Sequence, residues 1–162
     1  ESANQNTLND YNKYTTLKNY MDIVNLLKKY KIKTLGYFII GLPGENRNDV
    51  LNTINWAIKL DMDYASFNVP LPIYGTDLRD KAVKNGWINE QNDEYYDGSM
   101  PTQISTDQLS VKEIQELRKL AYKKFYFRLK YIFKAIIRIR TFFQIKMLIQ
   151  EGKNFFLNQY SN

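Results

Sequence analysis

The chain has 162 residues, of which 44% are hydrophobic and 15% aromatic, and its formal net charge is +6. This length and apolar content suffice for one sizeable core, and the aromatic content excludes a disordered chain. The sequence has no Cys and no His, so it cannot build a disulfide, a zinc site or a His-dependent nucleophile relay. No uncharged apolar run reaches the roughly 18 residues of a membrane span, and no secretory signal opens the chain. We therefore expect a cytoplasmic protein.

The first predicted elements are a helix and a strand. Thr15 is a candidate N-cap of a helix that runs to about Tyr30. Its apolar residues at helical spacing are Leu17, Tyr20, Val24 and Leu27. The segment from Lys33 to Gly41 reads as a strand, and its continuous apolar run indicates a strand that is covered on both faces.

The next elements repeat this order. Asn46 and Asp49 form a variant capping box before a helix, and Tyr64 to Val69 is a second strand. The buried stripe of that helix is predicted to consist of Val50, Ile54, Ala57 and Ile58. Two β-α repeats with short loops favour a parallel sheet, and hence an α/β fold.

The last third of the chain is predicted to be mostly helical. A short helix runs from Asp77 to about Asn85, and residues 87–109 are polar and rich in turn formers. Ser110 and Glu113 then form a capping box before a long helix. The residues expected on one side of this helix are Ile114, Leu117, Ala121 and Phe125.

The turn Gly41-Leu42-Pro43-Gly44 after the first strand is the strongest functional signal. Ligands of α/β sheets and barrels bind beyond the carboxyl ends of the strands, where such a turn brings the backbone close. A rival reading is an anion-binding turn of a nucleotide-binding module, since helix N-termini present unpaired amides. The turn contains neither a P-loop nor a GxGxxG motif, which argues against that reading.

Several short motifs together resemble the radical S-adenosylmethionine (radical SAM) enzymes, and most closely those with an additional cobalamin-binding domain. The resemblance covers roughly residues 1–135 and follows the order of the carboxyl-terminal half of that family's catalytic barrel. The motifs are Glu1-Ser2-Ala3-Asn4-Gln5, Asn12-Lys13, Gly36 to Glu45, Asp63 to Phe67, Pro70-x-Pro72-x-x-Gly75-Thr76, Tyr96-Asp97-Gly98-Ser99 and the helix from Leu117 to Arg128.

The resemblance implies a partial (β/α) TIM-like barrel over residues 1–106 and a basic helical extension over residues 107–162. It implies an enzyme that uses S-adenosylmethionine, a [4Fe-4S] cluster and cobalamin for methyl transfer, radical cyclisation or rearrangement of a small-molecule or lipid-like substrate. Family members hold the cluster on three cysteines, and this chain has none. Since the sequence opens at Glu1 in mid-motif, we expect a fragment that is inactive alone, with the cluster and cobalamin bound by a segment upstream.

The family pattern G-x-I-x-G-x-x-E places Ile39 and the Gly41 backbone against the adenine. Tyr37 replaces the first glycine, and Glu45 stands one residue late, so the resemblance does not give Glu45 a role. Two structural alternatives remain open. Ile39 can be ordinary barrel core, and a Cβ at Gly41 can obstruct the strand exit whether or not a ligand is bound.

The resemblance gives four further candidate binding residues. Glu1 and Ser2 correspond to the end of the preceding strand, where carboxylate and hydroxyl groups suit the ammonium and ribose of S-adenosylmethionine. Lys13 matches a basic position that can pair with the methionine carboxylate. Pro72 lies near the adenine or the substrate opening. The alternatives are a frayed terminus for Glu1 and Ser2 and a solvated surface side chain for Lys13. Asp61 and Asp63 are expected in a surface loop at the opposite end of the strand, and we reject them as an acid/base pair.

Positive charge is concentrated in the last third of the chain. Residues 112–153 contain 12 Lys and Arg residues and three acidic residues. Lys130, Lys134 and Arg138 recur every four residues, on one helical face. This face is interpreted as the solvated side of a docked helix, with two alternatives: contact with an anionic membrane surface, which would make the protein peripheral at the inner membrane face, and, less favoured, nucleic-acid binding. A non-catalytic adaptor with a membrane-binding tail is the rival to the enzyme.

Overall fold

The computed structural model describes residues 1–88 and 104–138. The polar segment that we predicted to be irregular, with the motif Tyr96 to Ser99, lies largely outside these residues, as does the chain after Arg138. The described elements are α1 (Gln5–Asp10), α2 (Leu17–Lys29), β1 (Leu35–Ile39), α3 (Arg47–Leu60), β2 (Tyr64–Asn68), α4 (Asp77–Lys84), α5 (Val111–Tyr126) and α6 (Leu129–Arg138).

The chain divides into two compact units, Glu1–Phe125 and Tyr126–Asn162. The predicted boundary between a barrel part and a helical extension at residues 106 and 107 stays a prediction, and the first unit includes nearly all of α5. The physical reason is the apolar side of α5, whose predicted inward residues are all buried: Ile114, Leu117, Ala121 and Phe125. Of the second unit, the structure describes the end of α5 and α6.

β1 and β2 pair in parallel through the crossover helix α3, as the β-α alternation predicts. Both strands are shorter than predicted, since β1 was expected over Lys33 to Gly41 and β2 over Tyr64 to Val69. The hydrogen bonds between the strands end one residue after β1, where the Ile40 N–H donates to the Asn68 carbonyl at 2.8 Å. Gly41 then adopts a φ of 82°, which turns the chain out of the sheet. A two-stranded sheet is what the described residues form, and the barrel stays a prediction.

The sheet has one covered and one open face among the described residues. Phe38 and Ile40 of β1 and Phe67 of β2 are buried, and the Phe38 and Phe67 rings stack at 5.4 Å. The alternate positions, by contrast, are exposed or half-buried: Leu35, Tyr37, Ile39, Tyr64, Ser66 and Asn68. Within the described residues β1 is covered on one face only, and cover on both faces stays a prediction.

Two side chains of α5 form hydrogen bonds with the backbone of Phe67 at the outer edge of β2. The Phe67 N–H donates to the Tyr122 hydroxyl at 3.2 Å, and Arg118 Nε donates to the Phe67 carbonyl at 2.8 Å. The Tyr122 ring also meets the Phe67 ring edge-on, with centroids 5.2 Å apart. A strand edge left unpaired invites association with other chains, and α5 prevents this at the centre of β2.

The helix starts follow local chemistry. Both predicted capping boxes are confirmed: Asn46 with Asp49 at α3, and Ser110 with Glu113 before α5. At α2 the N-cap is Thr16, whose side chain accepts from the Asn19 N–H, and the predicted cap Thr15 is wrong. Thr15 instead belongs to the preceding turn, because its N–H donates to the Lys13 carbonyl and its carbonyl accepts from Gln5 Nε2.

The segment that begins after α4 was predicted to be polar and irregular, but Trp87 anchors its start in a small apolar cluster. Trp87 is buried with Ala82 and Ile104, and its Nε1 donates to Asp107 Oδ1 at 3.0 Å. The predicted end of α4 near Gly86 is confirmed, since Asn85 is its C-cap and Gly86 has a φ of 67°.

Candidate functional site

The predicted site lies at the carboxyl ends of the two parallel strands. The Ile39 N–H donates to the Glu1 carbonyl at 3.0 Å. Glu1 therefore lies beside the outer edge of β1, in the position of the end of a neighbouring strand. Because β1 and β2 are parallel, the turn at Gly41 and the proline-rich loop at Pro72 leave the same end of the sheet.

Glu45 is the most unusual side chain at this end, because it is a fully buried carboxylate. Its Oε1 accepts from the Ser2 hydroxyl at 2.5 Å, and its Oε2 accepts from the Leu42 N–H at 3.2 Å. Burial raises the pKa of Glu45, and the hydrogen bonds from Ser2 and Leu42 partly oppose this rise. The sequence resemblance gave Glu45 no role, and only its contact with Ser2 reveals one.

Ser2 is held inside a hydrogen-bond network that fastens the amino-terminal segment to α3. The Asn4 N–H donates to the Ser2 hydroxyl at 3.1 Å, and the Ala3 N–H donates to Thr53 Oγ1 at 2.9 Å. Asn4 Nδ2 also reaches Asp49 Oδ1 at 2.9 Å. The alternative of a frayed terminus therefore does not hold for this segment, and the Ser2 hydroxyl is occupied by partners from the chain.

Tyr11 extends this buried environment on the other side of the turn. Its hydroxyl donates to the Pro43 carbonyl at 3.5 Å. Burial, followed by the nearby Glu45 and Asp10 carboxylates, raises the pKa of Tyr11 to about 12. Tyr11 is therefore a neutral hydrogen-bond donor at physiological pH, and it supports the turn rather than serving as a base.

Glu1 and Lys13 form an ion pair of 3.0 Å between Oε1 and Nζ. Both side chains are partly exposed, so the pair is worth at most about 1 kcal/mol in the free protein. Lys13 also borders a polar cleft of about 390 Å³. The cleft residues are Gln5, Asn9, Asn12, Lys13, Tyr14, Thr15, Thr16 and Asn19. The structure thus brings together the two charges that we assigned to the amino-acid part of S-adenosylmethionine.

Gly41 is buried, and the space where its side chain would lie is taken by α5. A Cβ built on Gly41 would approach Ile114 Cγ1 to 2.8 Å. This contact, with the positive φ, explains the glycine by packing within the chain, which is the structural alternative given above. Any approach of a ligand must use the Gly41 backbone.

Ile39 lies on the open face of the sheet, at its carboxyl end. It is half-buried, and the register places it beside Asn68 of β2. Ser66 lies two positions before Asn68 on the same face, and its hydroxyl donates to Asn68 Oδ1 at 3.0 Å. Ser66 and Asn68 were not predicted as site residues, although polar residues that alternate with buried Ala65 and Phe67 are the signal of an open face.

The remaining residues considered in the sequence analysis lie in loops and caps at the ends of helices and strands. Pro72 is half-buried in the loop after β2. Asp63 accepts from the Thr34 N–H at 3.0 Å, and Asp61 is the left-handed C-cap of α3, so their rejection as an acid/base pair agrees with their local roles. Among the described residues, no three His, Cys, Asp or Glu side chains form a group that could hold a metal ion. No helix in the same part of the chain is long and apolar enough to cross a membrane.

Comparison with known proteins gives one extensive similarity. No family model matches the sequence. The chain is 35% identical over 142 residues, or 88% of its length, to a Pyrococcus horikoshii protein named uncharacterized methyltransferase PH0819. The chain is similar to a protein named as a methyltransferase. It is also 38% identical over 60 residues to the uncharacterized protein MJ1620 of Methanocaldococcus jannaschii. It spans 31% of the length of the first relative and 12% of the second, and the shorter match covers 37% of the chain.

Proposed function

We propose that this chain is the carboxyl-terminal part of a radical SAM methyltransferase and contributes one wall of its S-adenosylmethionine site. The similarity to a protein named as a methyltransferase supports methyl transfer over the cyclisation and rearrangement reactions that the sequence motifs leave open. The single observation that carries the site is the position of Ile39, on the open sheet face beside Glu1 at the carboxyl ends of parallel strands.

The partial barrel is a proposal that the sheet geometry supports. A parallel β-α-β unit with one uncovered face is a natural part of a larger parallel sheet, whose strands are normally covered on both sides. Beside β1, Glu1 already occupies the place of an adjoining strand end. Leu35 and Tyr37 on the open face would then contact barrel interior supplied by the longer protein.

The residues present fit S-adenosylmethionine but do not fit an iron-sulfur cluster. Ile39 can pack against an adenine, and Glu1 and Lys13 can each bind one charge of the amino-acid group, exchanging their mutual ion pair for it. Ser2 is not available for the ribose, because Glu45 and Asn4 engage its hydroxyl. With no thiolate in the sequence, the ligands of the proposed cluster would lie in other residues of the longer protein. We assign cobalamin binding to that other part as well, from the family resemblance. The bound cluster would supply the electron for reductive cleavage of S-adenosylmethionine.

The proposed adenine contact is tested in the longer protein by calorimetry. Ile39→Ala should weaken S-adenosylmethionine binding by about fivefold to tenfold, through loss of buried apolar contact. Leu35→Ala is the matched control, since Leu35 lies on the same face of β1 at the opposite end. Equal affinities for the two variants would remove Ile39 from the site.

The proposed reaction has a separate test. The longer protein, reconstituted with iron, sulfide and cobalamin under reducing conditions, should convert S-adenosylmethionine to 5'-deoxyadenosine or S-adenosylhomocysteine. If neither product forms while S-adenosylmethionine still binds, the site assignment stands and the radical chemistry is wrong. Upstream sequence without the spacing CxxxCxxC would also contradict it.

A further inference from the structure

α6 carries an apolar stripe that is exposed along its length. Its large apolar residues follow the spacing i, i+3, i+4, i+7 and i+8 of one helical face. They are Leu129, Ile132, Phe133, Ile136 and Ile137. Leu129 is 85% exposed, and Ile137 is 66% exposed. Five exposed apolar side chains on ten residues are far more than scattered surface hydrophobicity requires, and indicate a contact surface.

The charged residues that neighbour this stripe in the sequence all have one sign. Lys130 and Lys134 follow one edge of the apolar face, and Arg138 continues the same i, i+4 row in the sequence. Between Leu117 and Gln150 the sequence contains ten Lys and Arg residues and no Asp or Glu. A protein surface that covers α6 would need a matching acidic rim, whereas an anionic bilayer provides both negative headgroups and an apolar interior.

We propose that α6 is an interfacial helix that binds the surface of an anionic phospholipid bilayer. The helix lies parallel to the membrane plane, with Leu129, Phe133 and Ile136 inserted among the acyl chains near the headgroups. The basic row beside them pairs with lipid phosphates. This inference depends on the exposed face and charge of α6 and is independent of the proposed enzymatic activity.

The test is flotation of the complete 162-residue chain. The vesicles consist of phosphatidylcholine, either alone or with roughly one third phosphatidylglycerol as the anionic lipid. The chain should float with the anionic vesicles, and binding should fall steeply in about 1 M salt, where the Debye length is roughly 3 Å. Absence of flotation, or equal flotation with neutral vesicles, would overturn the proposal.

A matched pair of variants assigns the binding to α6. Ile137→Glu introduces a charge into the stripe and should reduce flotation by about tenfold or more, since it removes an apolar contact and repels anionic lipid. Ile23→Glu makes the same change at an exposed apolar residue of α2, which is 55% exposed, and should leave flotation unchanged. Circular dichroism confirms that both variants keep the helical content of the parent. Equal losses in the two variants would overturn the assignment to α6.

A second copy of the chain is the competing occupant of this surface. Sedimentation velocity without lipid distinguishes the two. A monomer that binds anionic vesicles agrees with the proposal. A dimer that Ile137→Glu dissociates, with no flotation of the parent, would show that the stripe is a self-association surface.

Discussion

The hydroxyl of Ser2 donates a hydrogen bond to the buried Glu45 carboxylate, across 43 positions of sequence. This contact joins the amino-terminal segment to the turn between β1 and α3. The same carboxylate holds the turn itself through the Leu42 N–H. Glu45 is therefore a positioning residue, which fixes the strand exit against the neighbouring segment without facing the open side of the sheet.

Glu45 should make the stability of the folded chain depend on pH. Its folded pKa is raised above the ordinary value of 4.5, so the folded state favours the protonated form. The resulting stabilisation is complete below about pH 4.5 and is lost as the pH rises through the folded pKa. Relative to Glu45→Gln, whose side chain does not ionise, the parent should therefore lose stability as the pH rises from 4.5 towards neutrality. Thermal unfolding across this range measures the difference in Tm.

The control for this experiment is Glu116→Gln, the same chemical change at an exposed residue of α5. It measures how the removal of one surface carboxylate changes Tm. If the difference in Tm between Glu45→Gln and the parent changes with pH no more than the difference for Glu116→Gln, the folded state does not raise the pKa of Glu45.

Substitutions at two glycines of the same turn measure the cost of an unfavourable backbone conformation separately from the cost of a packing clash. Gly41 and Gly44 both have positive φ, but a Cβ at Gly41 would collide with Ile114, whereas none of the described atoms lies within 4 Å of a Cβ at Gly44. Gly44→Ala should cost about 1–2 kcal/mol of unfolding free energy from conformation alone. Gly41→Ala should cost roughly 1–3 kcal/mol more, because α5 must shift.

Chemical denaturation measures both glycine variants. Ile114→Ala removes the three side-chain atoms nearest to a Cβ at position 41, so Gly41→Ala should cost less in the Ile114→Ala background than in the parent. If Gly41→Ala and Gly44→Ala lower the unfolding free energy equally, Ile114 moves away from the new Cβ with no measurable loss of stability.

The Tyr122 hydroxyl should contribute to stability through the edge of β2. Tyr122→Phe keeps the aromatic contact with Phe67 but removes the acceptor of the Phe67 N–H. Leaving that partly buried N–H without its acceptor should cost about 1–3 kcal/mol. Tyr14→Phe, at an almost fully exposed residue, is the control and should be neutral within about 0.5 kcal/mol. If hydrogen exchange at the Phe67 amide is not faster in Tyr122→Phe, the edge contact is not formed in solution.

The purified chain should incorporate no iron-sulfur cluster. Since no cysteine is present, anaerobic incubation with iron and sulfide should leave the protein without a sulfide-to-iron charge-transfer band. Stoichiometric iron and sulfide after desalting would contradict the proposal that the cluster ligands lie elsewhere.

Local interactions made much of this fold predictable. The boxes at Asn46 and Ser110 depend on residues three positions apart, and the inward residues of α5 follow from helical spacing. The site was less predictable, because its contacts join distant positions. Glu45 meets Ser2, and Gly41 meets Ile114, and neither pair leaves a periodic signal. The open face of the described sheet was not predicted, because the apolar run of β1 conceals which alternate residues lack cover.

The contact of Arg118 and Tyr122 with Phe67 also limits how the sheet can grow. With α5 bonded at the centre of the β2 edge, a further strand can join the described sheet readily only beside β1, along Leu35 and Tyr37. If two copies paired along β1, neither copy would keep an accessible strand edge in the described sheet. Aggregation by strand pairing would then stop at a closed pair instead of propagating into a ribbon, because a fibre needs two usable edges on every molecule.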